Sequence, residues 1–147
     1  MARFRNESLT VVALAIATAA FEVTAQSSHE LYGKTKGEAI EVCAPQGQRD
    51  YLGKLLCRDA SKPSISRAGS FGPRNPYPDG MSQEQMMQIT INGLNGEALK
   101  PGETDHHTVD GYNLTCGEEK FTLYLDMYHC GQAAPSKAPE GFKFNKS

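Results

Sequence analysis

The sequence predicts a small α+β domain, one or two helices packed on a short antiparallel sheet with a C-terminal hairpin and closed by disulfides. Three observations lead there. Two alternating strand patterns stand close together near the C-terminus, a helical apolar stripe precedes them, and four cysteines follow an export signal.

The signal occupies residues 1–25. Arg3 and Arg5 give a basic start, Leu9 to Phe21 is an uncharged and mostly apolar run, and Val23-Thr24-Ala25 supplies small residues for cleavage. The run is too short for an ordinary membrane span, and basic start and small-residue exit occurring together disfavour a buried core helix. Cleavage removes Arg3, Arg5, Glu7 and Glu22, so the formal charge stays at −2. Such a balance gives no electrostatic case for nucleic acid, and the lack of a polybasic cluster gives none for lipid headgroups. The expected organisation is a single globular domain over 26–130, an extended tail over 131–147, and no membrane span after cleavage.

Within the mature chain, 26–38 is a polar lead-in and Ala39 to Val42 suits a short strand. Pro45 fits the first turn of a helix, where its missing N–H costs nothing. Tyr51, Leu52, Leu55 and Leu56 then form one stripe, predicting an amphipathic helix from Pro45 to Leu56. Arg58 to Gly80 is crowded with Gly, Pro and Asn-Pro punctuation, predicting a long irregular loop with at most a short strand at 64–68. Ser82-x-x-Gln85 is a capping box that starts a helix at Gln83. It leaves open whether β-branched Ile89-Thr90-Ile91 continues that helix or begins a strand.

Thr108 to Cys116 and Phe121 to His129 are the clearest strands. Pairing Cys116 with Phe121 across a four-residue connection puts Tyr112, Leu114, Cys116, Phe121, Leu123, Leu125 and Met127 on one face. Asn113, Thr115, Thr122, Tyr124, Asp126 and Tyr128 fall on the other. A one-residue slip would destroy this segregation.

Cys43, Cys57, Cys116 and Cys130 are expected to form two disulfides; their local gaps of thirteen residues do not suit the close cysteine pairs of structural zinc. Cys43 and Cys57 sit at opposite ends of the first helix, and Cys116 and Cys130 at opposite ends of the hairpin, too far apart for either local bridge. Two inter-element pairings remain: Cys57–Cys116 with Cys43–Cys130, which is favoured, or Cys43–Cys116 with Cys57–Cys130.

Candidate chemistry is sparse. His106, His107, Asp110 and His129 form the one cluster resembling a metal or acid–base site. In the register above His106, Asp110 and His129 share a face at diagonal steps, within reach of a common zinc or copper ion. Asp105, Asp110 and Asp126 supply carboxylates without a pattern that pairs them. Arg67 and Arg74 stand in the long loop as solvated charges or anion contacts, and Asn113-Leu114-Thr115 is a glycosylation sequon.

Gly47-Gln48-Arg49-x-Tyr51-Leu52-x-x-Leu55-x-Cys57, Asp110-x-Tyr112-x-x-x-Cys116 and Tyr124-x-Asp126-Met127-Tyr128-His129 together resemble a pattern of small uncharacterised exported bacterial proteins. The resemblance spans about half of the mature chain in separated patches. It implies a bacterial, periplasmic setting and brings no activity with it. Cys130 stands where that pattern has Pro, so the Cys43–Cys130 bridge would be this chain's own.

The expected function is a non-enzymatic periplasmic or secreted binding or structural domain, without a cofactor, whose partner is a protein or an envelope component. Recognition is expected from Arg67, Arg74 and the rest of the Arg67–Gly80 loop, and from Tyr124, Asp126 and Tyr128 on the polar hairpin face. The alternative is a metal-binding protein or small metalloenzyme using His106, Asp110 and His129. A hydrolase with Cys57 or Cys130 as nucleophile requires a free thiol.

Overall fold

A computed structural model describes residues 28–145 of the protein, so the expected export signal over 1–25 lies outside the described residues. A single turn, α1 (Ser28–Leu31), precedes a two-residue strand, β1 (Ile40–Glu41). Helix α2 (Ala44–Lys54) starts with Pro45 in its first turn and buries Gln48, Tyr51 and Leu52. It does not reach Leu56. Leu55 turns extended and begins β2 (Leu55–Cys57), because its backbone pairs with Phe144 while its side chain is fully buried.

The region expected to be mostly loop holds a ten-residue strand, β3 (Ser64–Pro73), antiparallel to β4 (Thr108–Cys116). Its glycines are bulge residues. The register shifts between Arg67 and Gly69 and again between Ser70 and Pro73, with Gly69 at φ 133 and Gly72 at φ 78. An edge strand tolerates such interruptions, and Pro73 as well, because one side of it has no ladder to break.

Helix α3 (Gln83–Leu94) runs through Ile89-Thr90-Ile91. The Ser82 hydroxyl accepts from the Gln85 N–H and the Gln85 side chain accepts from the Ser82 N–H, completing the capping box. This strong start carries the helix through its β-branched stretch, where the Thr90 hydroxyl bonds back to the Met86 carbonyl.

β4 and β5 (Glu119–Asp126) form the expected hairpin with its register moved by two residues. Cys116 pairs with Glu119, Leu114 with Phe121 and Tyr112 with Leu123. The connection is the two-residue turn Gly117-Glu118, with Gly117 at φ 59 supplying the positive φ that a tight hairpin needs at its first central position. A shift of two preserves every side chain's face, so Leu114, Leu123 and Leu125 are still buried together.

β1 adds to β5 in parallel, so the main sheet is mixed, in the order β1-β5-β4-β3. α2 covers one face through Tyr51 and Leu52, which share a core with Ile40, Val42, Leu55, Leu114, Leu123 and Leu125. The tail folds back: β6 (Phe142–Phe144) pairs with β2, Phe144 packs edge-on against Tyr51, and Phe142 packs on Phe121.

Cys43 is bonded to Cys130 and Cys57 to Cys116, leaving no free cysteine among the described residues. One bridge ties the start of α2 to the chain beyond β5, and the other ties β2 to the hairpin turn. Both are typical of extracellular or periplasmic proteins. No helix among the described residues is long and apolar enough to cross a membrane.

Candidate functional site

The topology gathers charge at one end of the sheet. β1 and β5 run parallel, so Glu41 and Asp126 lie side by side at their C-terminal ends. β4 runs the other way, so the segment entering it, Asp105 to His107, arrives at the same end. β3 is antiparallel to β4, so its exit at Arg74 joins them. His129 follows three residues after Asp126, held by a backbone bond from its N–H to the Val42 carbonyl and by the adjacent Cys43–Cys130 bridge.

Arg74 donates to Glu41 at 2.6 Å, to Asp105 at 3.1 Å and to the Gly37 carbonyl at 3.0 Å, and approaches Asp126 at 3.8 Å. His129 Nε2 bonds Asp105 Oδ2 at 3.0 Å and stands 3.2 Å from Asp126 Oδ2. A ring nitrogen carries at most one hydrogen, so the second approach is a charge contact without a hydrogen bond. Asp126 is fully buried, and its Oδ2 lacks a hydrogen-bond partner. His107 Nδ1 lies 2.9 Å from Asp105 Oδ1 but off the line of an N–H bond, so it too is buried without one.

The His107 ring is clamped. Tyr128 stacks on it at 5.0 Å and Gly93 of α3 presses against both rings, where a Cβ would stand 2.8 Å from His107 Cδ2 and 2.9 Å from Tyr128 Cδ1. Only a glycine lets α3 approach this closely.

These contacts set the protonation of the cluster. Burial alone would lower His129, but its bond to Asp105 and the charges of Asp126 and Glu41 outweigh burial and raise it from 6.5 to about 9. Burial alone would raise Asp105, yet contacts from His107 and His129 hold it well below the usual carboxylate range. Burial would depress Arg74, and its carboxylate partners push it up instead.

The residues expected to act together do so only in part. His106 turns away, its Nδ1 within 3.0 Å of the Asn75 carbonyl oxygen and its ring stacked on Tyr77. Asp110 lies across the sheet, accepting from Arg67 at 2.7 Å and Gln48 at 3.1 Å. His106, Asp110 and His129 therefore do not converge, because the strand register sends the three to different neighbours. His129 meets Asp105, His107 and Asp126 instead, and one ligand atom from each of these four lies within 4.8 Å of the others.

The expected recognition surface is also changed. Asp126 is interior and Arg74 is largely enclosed by its ion pairs, so neither is a free surface group. Arg67 is exposed beside Asp110, Tyr124 packs edge-on against Phe71 at 5.3 Å, and Tyr128 is half-buried against His107. The sequence pattern places His107 in the candidate cluster without a ligand role and leaves Asp105 and Asp126 without a pairing to it. The pairs Asp105-x-His107 and Asp126-x-x-His129 were the available signal, since each brings a carboxylate and an imidazole together at short range.

Beside the cluster, between α2 and residues 132–135, lies a groove of about 400 Å³. Val42, Ala44, Tyr51, Ala133 and Pro135 line it, and His129 and Glu41 form its polar edge. Gln132 stands where groove and cluster meet, its side-chain nitrogen 3.2 Å from His129 Nδ1. Comparison with protein-family models, with curated proteins and with solved structures finds no match for the chain.

Proposed function

We propose that the protein works outside the cytosol as a non-enzymatic binding domain, and that the groove beside α2 seats an apolar anchor of a protein or envelope partner. The observation carrying this reading is that a largely apolar groove of about 400 Å³ is bordered by the polar side chains of His129 and Glu41. That volume lies in the range of ligand seats, and a strongly shifted titratable group at the rim of an apolar concavity is a frequent mark of one. The two disulfides support an oxidising compartment, and one of them, Cys43–Cys130, ties Cys43 on one wall of the groove to the chain that forms the other.

The test uses anilinonaphthalene sulfonate, a fluorescent amphiphile, as the probe. Saturable fluorescence is expected with the folded protein, and Ala134→Trp, which fills the groove, should abolish it while circular dichroism stays unchanged. Equal probe binding by wild type and Ala134→Trp would contradict the groove reading.

A further inference from the structure

We infer that Asp105, His107, Asp126 and His129 form a binding site for one divalent transition-metal ion of the zinc class. The inference is independent of the groove, since a ligand seat can exist there with or without an ion behind it.

Three observations carry it. The first is the donor set. Two imidazole nitrogens and two carboxylates suit zinc, which accepts both ligand types in fourfold coordination. Zinc bonds of about 2.0–2.2 Å put tetrahedral ligand atoms about 3.3–3.6 Å apart. The four atoms here already lie within 4.8 Å of one another, with His129 to Asp126 at 3.2 Å, so small side-chain rotations complete the shell.

The second is the pair of orphaned atoms. Asp126 Oδ2 and His107 Nδ1 are both buried and both lack a hydrogen bond, although most buried polar side-chain atoms find a partner. An ion between them satisfies both at once. The clamp on His107 by Tyr128 and Gly93 fixes its ring with Nδ1 beside Asp105, so this ligand is held in place before the ion arrives.

The third is charge. Glu41, Asp105 and Asp126 bring three carboxylates together, and among the described residues Arg74 is the one arginine or lysine paired with them. A divalent ion bound by neutral imidazoles balances the remaining two negative charges in a region where isolated charge is costly. Arg74, held by Glu41 and the Gly37 carbonyl, then borders the ligands and helps orient Asp105. A cavity of about 120 Å³ lined by Leu99, His107, Tyr128, His129 and Gln132 adjoins both imidazoles of the set.

The test uses mature protein made without an affinity tag, stripped with a chelator and titrated with zinc in competition with a chromogenic indicator. One zinc per chain is expected. Asp126→Asn and His107→Gln should each weaken binding about 100-fold or more, while Asp110→Asn and His106→Gln bind as wild type. Absence of stoichiometric binding, or binding unaffected by Asp126→Asn and His107→Gln, overturns the inference. Should those variants fail to fold, cobalt in the wild-type protein decides. Intense tetrahedral ligand-field bands support the site, and a weak octahedral spectrum contradicts it.

Discussion

Gly53 and Gly93 allow the same substitution to be made twice with opposite expected sign. Both lie near the C-terminal end of a helix, and each lowers helix stability relative to alanine by up to about 1 kcal/mol. At Gly53 in α2 an added Cβ meets nothing within 4 Å, so Gly53→Ala should stabilise by about 0.5 kcal/mol. At Gly93 in α3 the Cβ would stand 2.8 Å from His107 Cδ2 and 2.9 Å from Tyr128 Cδ1. These rings are stacked on each other and His107 is buried, so neither gives way freely. Overpacking of this kind costs about 1–3 kcal/mol. Set against the propensity gain, Gly93→Ala should destabilise by about 1–2 kcal/mol. Urea unfolding of both variants measures the difference. A Gly93→Ala protein as stable as Gly53→Ala would refute the close seating of α3 on His107, and with it the clamp on this ligand.

Other expectations concern the ion cluster and the bridges. In chelator-treated protein His129, raised from 6.5 to about 9, contributes stability that is complete below pH 6.5 and lost as pH rises through 9. The full shift would be worth about 3 kcal/mol, reduced to about 2 because the ring reaches the open groove. Asp105 acts in the opposite sense, its contribution being lost only in acid because its folded value is depressed. Urea unfolding at about pH 6 and about pH 9.5 should show that loss in wild type and a flatter profile in His129→Gln; parallel profiles would deny His129 its carboxylate partners. Removing the Cys57–Cys116 bridge, which spans a sequence separation of 59, should cost about 2–4 kcal/mol and leave zinc affinity unchanged. Removing Cys43–Cys130 should cost a similar amount and also weaken zinc binding, because the bridge anchors Cys130, the residue next to His129.

What the sequence could reveal was local. The alternation from Tyr112 to Met127 places each side chain on its correct face, while the turn is shorter than expected and the second strand ends at Asp126 instead of His129. Polar Glu119 and Lys120 look like loop residues, yet they pair with Cys116 and Thr115 because Gly117-Glu118 alone can reverse the chain. Gly69, Gly72 and Pro73 resemble loop punctuation, whereas they mark the bulges and the end of an edge strand. Inter-element disulfides were legible because helix and hairpin lengths rule out the local bridges.

The cluster depended on information that no local pattern holds. Asp126 does alternate away from Leu125, as its polarity suggests, but that end of the sheet is closed over by other segments. Glu41 comes beside it through a parallel pairing of only two residues. Arg74 arrives from a strand whose last residues look like turn. His106 and His107 are equivalent in the sequence, and the contact with Gly93 and Tyr128 separates them by setting His107 toward the carboxylates.

The most direct measurement is a long-range proton–nitrogen spectrum of the histidine rings during zinc titration of the tag-free protein. Nitrogen signals of His107 and His129 should move together, in slow exchange, and be complete at one equivalent, while His106 keeps its shift. Movement of His106 with His129 and a silent His107, or gradual displacement of all rings without saturation, would contradict the site assembled from Asp105, His107, Asp126 and His129.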